Sequence, residues 1–264
     1  MHGSNVKRLQ EILNMDDVDG IFGPLTEQAV MTFQLNAGLV IDGIVGPKTW
    51  AALRKVETDD VEGALGPVID RRERHPNPKL YARKRFWRNI IGVTIHQTGC
   101  PMPKKPERWD RLNAHYGITR EGLIVWVNDE TSMVWHAQRL SPSTIGIEIE
   151  GNFEGISGND KTLWKGGGPA CYLTKAQLKA ASVLLKHIKK RFEDNGAQWR
   201  RIYGHRQSKN TRIADPGSEI WQKIAIPWAN KLGLFNHDGG PGFCVGSGRP
   251  IPKIWDKHRF EDYQ

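Results

Sequence analysis

The sequence predicts an α/β (α+β) domain, a central mixed β-sheet flanked by helices, preceded by a small three-helix bundle. Three observations carry this expectation: a short motif that occurs twice near the start, three β-branched runs between residues 89 and 150, and a long capped helix beginning at Thr174. With 264 residues and 38% hydrophobic content, the chain has room for one domain of ordinary size and a small one.

The doubled motif reads Asp19-Gly20-Ile21-Phe22-Gly23-Pro24-Leu25-Thr26 and Asp42-Gly43-Ile44-Val45-Gly46-Pro47-Lys48-Thr49. Asp-Gly supplies a tight turn in which the glycine is free to take a positive φ. Gly-Pro then starts a helix, because the missing N–H of proline costs nothing in a first turn. Each copy is therefore a turn feeding a helix. Apolar residues recur around the copies at helical spacing: Val6, Leu9, Ile12 and Leu13, then Ala29, Val30 and Phe33, then Trp50 and Leu53. Three short helices are expected over residues 1–56.

Residues 57–78 mix charge with Gly and Pro and have little period, so they read as a linker. The runs at 89–96, 123–127 and 144–150 read as strands. Thr174 and Gln177 form a capping box, Leu178, Ala181, Leu185, Ile188 and Phe192 recur at helical spacing, and Gly196 closes that helix. A second helix is expected from Ser218 to about Lys231, opened by Pro216. Strands alternating with helices place the larger domain over 79–233. Residues 234–264 are rich in glycine and lack a period, which suits either a strap packed across that domain or a mobile tail.

Composition narrows the function classes. Charged residues make up 25% and mean hydropathy is −0.54, so neither a disordered chain nor a membrane protein is expected, and no stable membrane insertion. The opening Met-His-Gly-Ser-Asn-Val goes straight into helical spacing without the apolar run of a secretion signal, so synthesis in the cytoplasm is expected. Three widely spaced cysteines, Cys100, Cys171 and Cys244, argue for reduced thiols over a disulfide framework. The net charge of +9 is uneven: residues 1–55 hold five Lys/Arg against six Asp/Glu, net −1, which leaves +10 for the remainder. A basic surface suits any polyanion, but no nucleic-acid motif accompanies it, so nucleic acid is not an expected partner. A monomer is expected.

Candidate chemistry gathers in the larger domain. His96 ends a β-branched run at the rim of a sheet, and His205 and Asp215 lie ten residues apart in Tyr203-Gly204-His205-Arg206 and Ala214-Asp215-Pro216-Gly217. Two histidines and one carboxylate suffice as ligands of a catalytic zinc, with a fourth position left for water. A lone histidine at a strand end is more often a surface or hydrogen-bonded residue than a ligand. Glu148 and Glu150 share one strand face by period two. Cys100, four residues beyond His96, sits in a loop that does not align the pair for a metal.

Residues 4–55, with their doubled motif, resemble the peptidoglycan-binding domain type 1, a compact three-helix bundle that holds wall glycopeptide in a shallow groove. Between residues 88 and 232, VTIHQTG, AHYGITREGLIVWV, WHA, STIGIEIEGNF, YGHR and ADPG follow one another in the order seen in type 2 N-acetylmuramoyl-L-alanine amidases. That family includes phage lysins, bacterial muropeptide amidases and animal peptidoglycan recognition proteins. The combination resembles a modular phage endolysin.

The resemblance implies Zn2+ held by His96, His205 and Asp215, with Glu148 as the catalytic carboxylate and Glu150 as its local rival. It implies that His136 lines the substrate groove. Ile213 stands where some members have Lys, leaving Arg212 next door to supply positive charge, and Ala114 stands where some phage members have Tyr. The implied reaction is hydrolysis of the amide between N-acetylmuramic acid and L-alanine in bacterial peptidoglycan, causing wall lysis once the protein is released. Two other readings are a non-catalytic recognition protein and a zinc peptidase cutting the stem peptide. The complete ligand set argues against the first, and the Ile-Gly-Ile-Glu and Trp-His-Ala motifs argue against the second.

Overall fold

The computed structural model describes all residues except 1–2, 14, 16, 60–67, 73–82, 103–104, 235–239, 241 and 257–264. Two compact units divide the chain, Met1–Pro67 and Val68–Gln264.

In the first unit, α1 (Ser4–Ile12), α2 (Pro24–Asn36) and α3 (Pro47–Asp59) form the expected helices, two of them opening on the prolines of the doubled motif. Leu9, Val30 and Leu53 are its buried centre, and Ile12, Leu13, Phe22, Phe33, Val45 and Trp50 pack around them. Gly20 and Gly43 take φ of 77° and 68°, the left-handed turn that Asp-Gly permits. Each turn is locked by one buried glutamine. The Nε2 of Gln10 donates to Asp19 Oδ1, the Ile21 carbonyl and Thr26 Oγ1, while its Oε1 accepts from the Gly20 amide. Gln34 does the same for Asp42, Ile44, Thr49 and Gly43 in the second copy.

The second unit is built on a six-stranded mixed sheet of order β1-β4-β3-β5-β2-β6. Its strands are β1 (Val68–Asp70), β2 (Gly92–Gln97), β3 (Tyr116–Ile118), β4 (Ile124–Trp126), β5 (Thr144–Ile149) and β6 (Arg201–Gly204). Only the β3–β4 pair is antiparallel. The long helix α4 (Lys175–Asp194) carries the predicted capping box, and Gly196 beyond its end has φ 61°. Its apolar stripe of Ala181, Leu184 and Leu185 meets Ile95, Ile118, Ile147 and Ile149 of the sheet. Ser218–Ile220 (α5) and Ile226–Lys231 (α6) form the second helix, joined by a π turn at Trp221–Ala225. Pro227 in the first turn of α6 has no N–H for a regular helical bond, which a wider π turn accommodates.

Two differences from the sequence reading stand out. The stretch expected as linker over 57–78 includes β1, which pairs with β4 in parallel, and Arg71 just after it holds Asp110 through two hydrogen bonds in a buried pair. Residues 57–59 of that stretch are the last of α3, and 60–67 and 73–78 lie outside the described residues. Two further strands, β3 and β6, were not expected: each is only three or four residues long, too short for a period to show. The last described residues pack as a strap on the second unit, with Ile251 and Trp255 buried.

Candidate active site

β2 and β5 are neighbouring parallel strands, and their register sets His96 directly opposite Glu148. Side chains alternate along a strand, so Ile95 and Ile147 turn toward α4 while His96 and Glu148 share the other face. β6 runs beside β2 and delivers His205 at the start of a single 3-10 turn, His205–Gln207. A loop then returns Asp215 to the same place: the Gln97 amide donates to Asp215 Oδ1 at 3.1 Å, and the Gln97 side chain bonds the Ala214 carbonyl. His96, His205 and Asp215 are all buried, and one ligand atom from each lies within 4.8 Å of the other two.

The hydrogen bonds fix which nitrogen of His96 is free. His136 Nε2 lies 3.0 Å from the Thr144 carbonyl, which only accepts, so Nε2 carries the proton and His136 Nδ1 accepts. His96 Nε2, 3.0 Å from that Nδ1, must therefore be the donor. That leaves the lone pair of His96 Nδ1 aimed at His205 Nδ1, 2.9 Å away, with Asp215 Oδ2 2.9 Å beyond it. His205 Nε2 is held by Gln138 Oε1 at 3.0 Å. Both imidazoles thus turn their Nδ1 inward and are steadied from behind at Nε2, as metal-binding histidines are. Burial, reinforced by the neighbouring histidines and Arg212, holds the His96 pKa well below its usual range, so the ring is neutral. A buried donor set of two imidazole nitrogens and a carboxylate fits Zn2+.

Glu148 Oε1 is 4.0 Å from His96 Nδ1, and Oε2 is buried without a hydrogen-bond partner among the described residues. Burial, with the charge of Asp215 added, raises its pKa well above the usual carboxylate value, and Arg212 opposes the shift. Glu150 is different. Its two oxygens accept from the backbone amides of Met102 and Arg120 at 2.7 and 2.9 Å, so it fastens two loops to the end of β5.

His136 does not line an open groove. It is 5% exposed and stands behind His96, its ring 5.2 Å from the His96 ring, and burial lowers its pKa to about 3. Gly146 makes room for it, since a Cβ there would come within 2.7 Å of the imidazole. Arg212 lies over the Trp164 ring at 4.4 Å, and Ile213 is exposed beside it. Cys100 is exposed and outside the cluster, and the three cysteines are free thiols. Sequence reasoning missed Gln97 and Gln138. Gln138 directly follows the Trp-His-Ala motif, but its φ of +46° is visible only in the fold.

The model of the N-acetylmuramoyl-L-alanine amidase family matches residues 86–218, half of the chain, and spans every residue of this cluster. The chain belongs to that family. Ahead of the amidase-family stretch, a peptidoglycan-binding domain model matches residues 2–53. Both matches concern peptidoglycan. One curated relative is 54% identical over 57 residues, 19% of this chain and 48% of its own length: the uncharacterized protein in the bpoA1 3'region of Kitasatospora aureofaciens. Another, the zinc D-Ala-D-Ala carboxypeptidase of Streptomyces albus G, is 46% identical over 43 residues, 16% of this chain and 17% of its own length. The chain thus spans less than half the length of either. Among solved structures, the endolysin amidase LysCS of Clostridium intestinale URNW is similar at TM-score 0.46 and 16% identity, covering 65% of this chain and 99% of its own. Drosophila PGRP-LB is similar at TM-score 0.44 and 17% identity, covering 64% of this chain and 96% of its own.

Proposed function

We propose that this amidase-family chain hydrolyses the bond between N-acetylmuramic acid and L-alanine, with Zn2+ held by His96, His205 and Asp215 and with Glu148 as proton carrier. The observation that carries the reading is the meeting of an inward-turned His–His–Asp set with a buried carboxylate oxygen that no described residue satisfies. Bound there, zinc would polarise the scissile carbonyl and acidify water.

The protein's own groups supply the rest. Glu148 Oε2 takes the proton of the attacking water and returns it to the departing alanine nitrogen, a cycle suited to a carboxyl whose pKa burial has raised. Arg212 carries a fixed positive charge close enough to influence Glu148, and it stabilises negative charge developing on the substrate without donating a proton. His136 keeps His96 in the tautomer with Nδ1 bare. Residues 1–56 hold the wall polymer and raise the local concentration of the catalytic unit at its substrate. Mass spectrometry of digested peptidoglycan is the test. Free stem peptides beginning with L-alanine identify this bond; cuts within the stem peptide, or none, overturn the reading. Activity that survives in a chelated, metal-free sample overturns the role of zinc.

A further inference from the structure

Residues 242–256 lie beyond the family-matched stretch 86–218, yet they are bonded to the turn that carries His205. The Val245 amide donates to the Gln207 carbonyl and the Arg249 amide to the Arg206 carbonyl, both at 2.8 Å. Gln207 Nε2 donates to the carbonyls of Phe243 and Gly240 at 2.9 and 3.2 Å, and Arg206 Nε to that of Pro250 at 2.9 Å. All these bonds fall on the two residues that follow His205. On the other side, Gln207 Oε1 accepts from Gly204, the residue before His205, at 3.0 Å.

The same strap covers the second loop that touches His205. Phe243 and Val245 pack on Ala137, Leu140 and Tyr203. That loop carries Gln138, which holds His205 Nε2 from a positive φ that no other described non-glycine residue adopts. A residue kept in such a conformation needs surroundings that over-determine it. The far end of the strap is tied down: Trp255 Nε1 donates to the Gly155 carbonyl, and Trp221 Nε1 donates to Asp256 Oδ2 at 3.2 Å. The contact has no slack, because a Cβ on Gly248 would fall 2.0 Å from the Gln207 carbonyl oxygen.

We propose that this strap is a positioning element of the metal site, clamping the Gly204–Gln207 turn and the Ala137–Leu140 loop together so that His205 Nδ1 stays turned toward His96 and Asp215. The proposal rests on the zinc reading above. It makes residues outside the family-matched stretch a condition of tight metal binding. Outer partners of metal ligands affect affinity by about 10–100-fold when lost, without touching the metal.

Zinc affinity, read by competition with a coloured chelator, tests it on three proteins: the full chain, Gly248→Ala, and a chain ending at Leu234. Full-chain binding that His205→Ala abolishes establishes the site itself; its absence overturns the zinc reading, and the strap proposal falls with it. Given that binding, Gly248→Ala is expected to weaken zinc binding about 10-fold or more, with faster hydrogen exchange at the amides around His205. The shortened chain is expected to weaken it further. A strap that merely stabilises the fold would lower the unfolding temperature of the metal-free protein and leave zinc affinity of the folded variants within about twofold, which overturns the positioning role. Should the shortened chain fail to fold, Gly248→Ala decides alone.

Discussion

In the first unit, Gln10 and Gln34 each sit inside a closed set of hydrogen bonds, while in the second unit Glu148 keeps a buried oxygen, Oε2, that no described residue satisfies. The glutamines satisfy a turn, a helix start and themselves at once, twice over, and what they secure is shape. Around His96 the bonds run the other way: Thr144, His136 and Gln138 satisfy only the outward nitrogens and turn the inward ones toward a common point. An unmatched buried carboxylate costs several kcal/mol unless something compensates it, so its presence beside a convergent ligand set points to chemistry.

The largest effect that separates the two regions should come from the ligands. His96→Ala, His205→Ala or Asp215→Ala is expected to abolish both stoichiometric zinc binding and wall lysis, read by metal analysis and by the turbidity of a cell-wall suspension. Glu148→Gln keeps the shape and removes the base, so turnover should fall by about 10²–10⁴-fold with zinc still bound. Glu150→Gln sharpens the contrast, because its oxygens serve backbone amides: it should cost about 1–3 kcal/mol of stability in denaturant unfolding, with little change in turnover per folded molecule. The reverse pattern in these two variants would show the wrong carboxylate to be assigned. Removing residues 1–55 should weaken cosedimentation with intact sacculi by about tenfold or more, while cleavage of small soluble muropeptides stays nearly unchanged. Smallest is Gln34→Leu, expected to destabilise the first unit by about 1–3 kcal/mol and to leave soluble-substrate turnover alone.

Much of this was legible in the sequence, and the physics explains which parts were. The doubled Asp-Gly and Gly-Pro steps announce turns and helix starts because those residues act on their own backbone. The capping box at Thr174 is local for the same reason. β1 was hidden because three residues show no alternation and its charged neighbour Arg71 finds its buried partner in Asp110, 39 residues away. Leu178 and Leu184 show the same limit on α4: the period marks a face, but the sheet decides which leucine is covered, and it is Leu184. At the site, the residues that gather as the His96–His205–Asp215 cluster were visible in the motifs, whereas the place of His136 behind His96 depends on the space left by Gly146 and on the Thr144 carbonyl. No spacing in a sequence encodes such a contact.

The pairing of β2 with β5 has one more consequence. Six successive residue pairs tie these strands together, from Gly92 with Thr144 to Gln97 with Ile149, so His96 and Glu148 are rungs of one ladder. A ladder moves only in whole steps. A shift of one residue would bring Ile147 or Ile149 opposite His96 and carry the glutamate to the other face. The pairing of His96 with Glu148 is therefore set by the register of the ladder, and no rearrangement short of breaking that ladder gives either residue a different cross-strand neighbour.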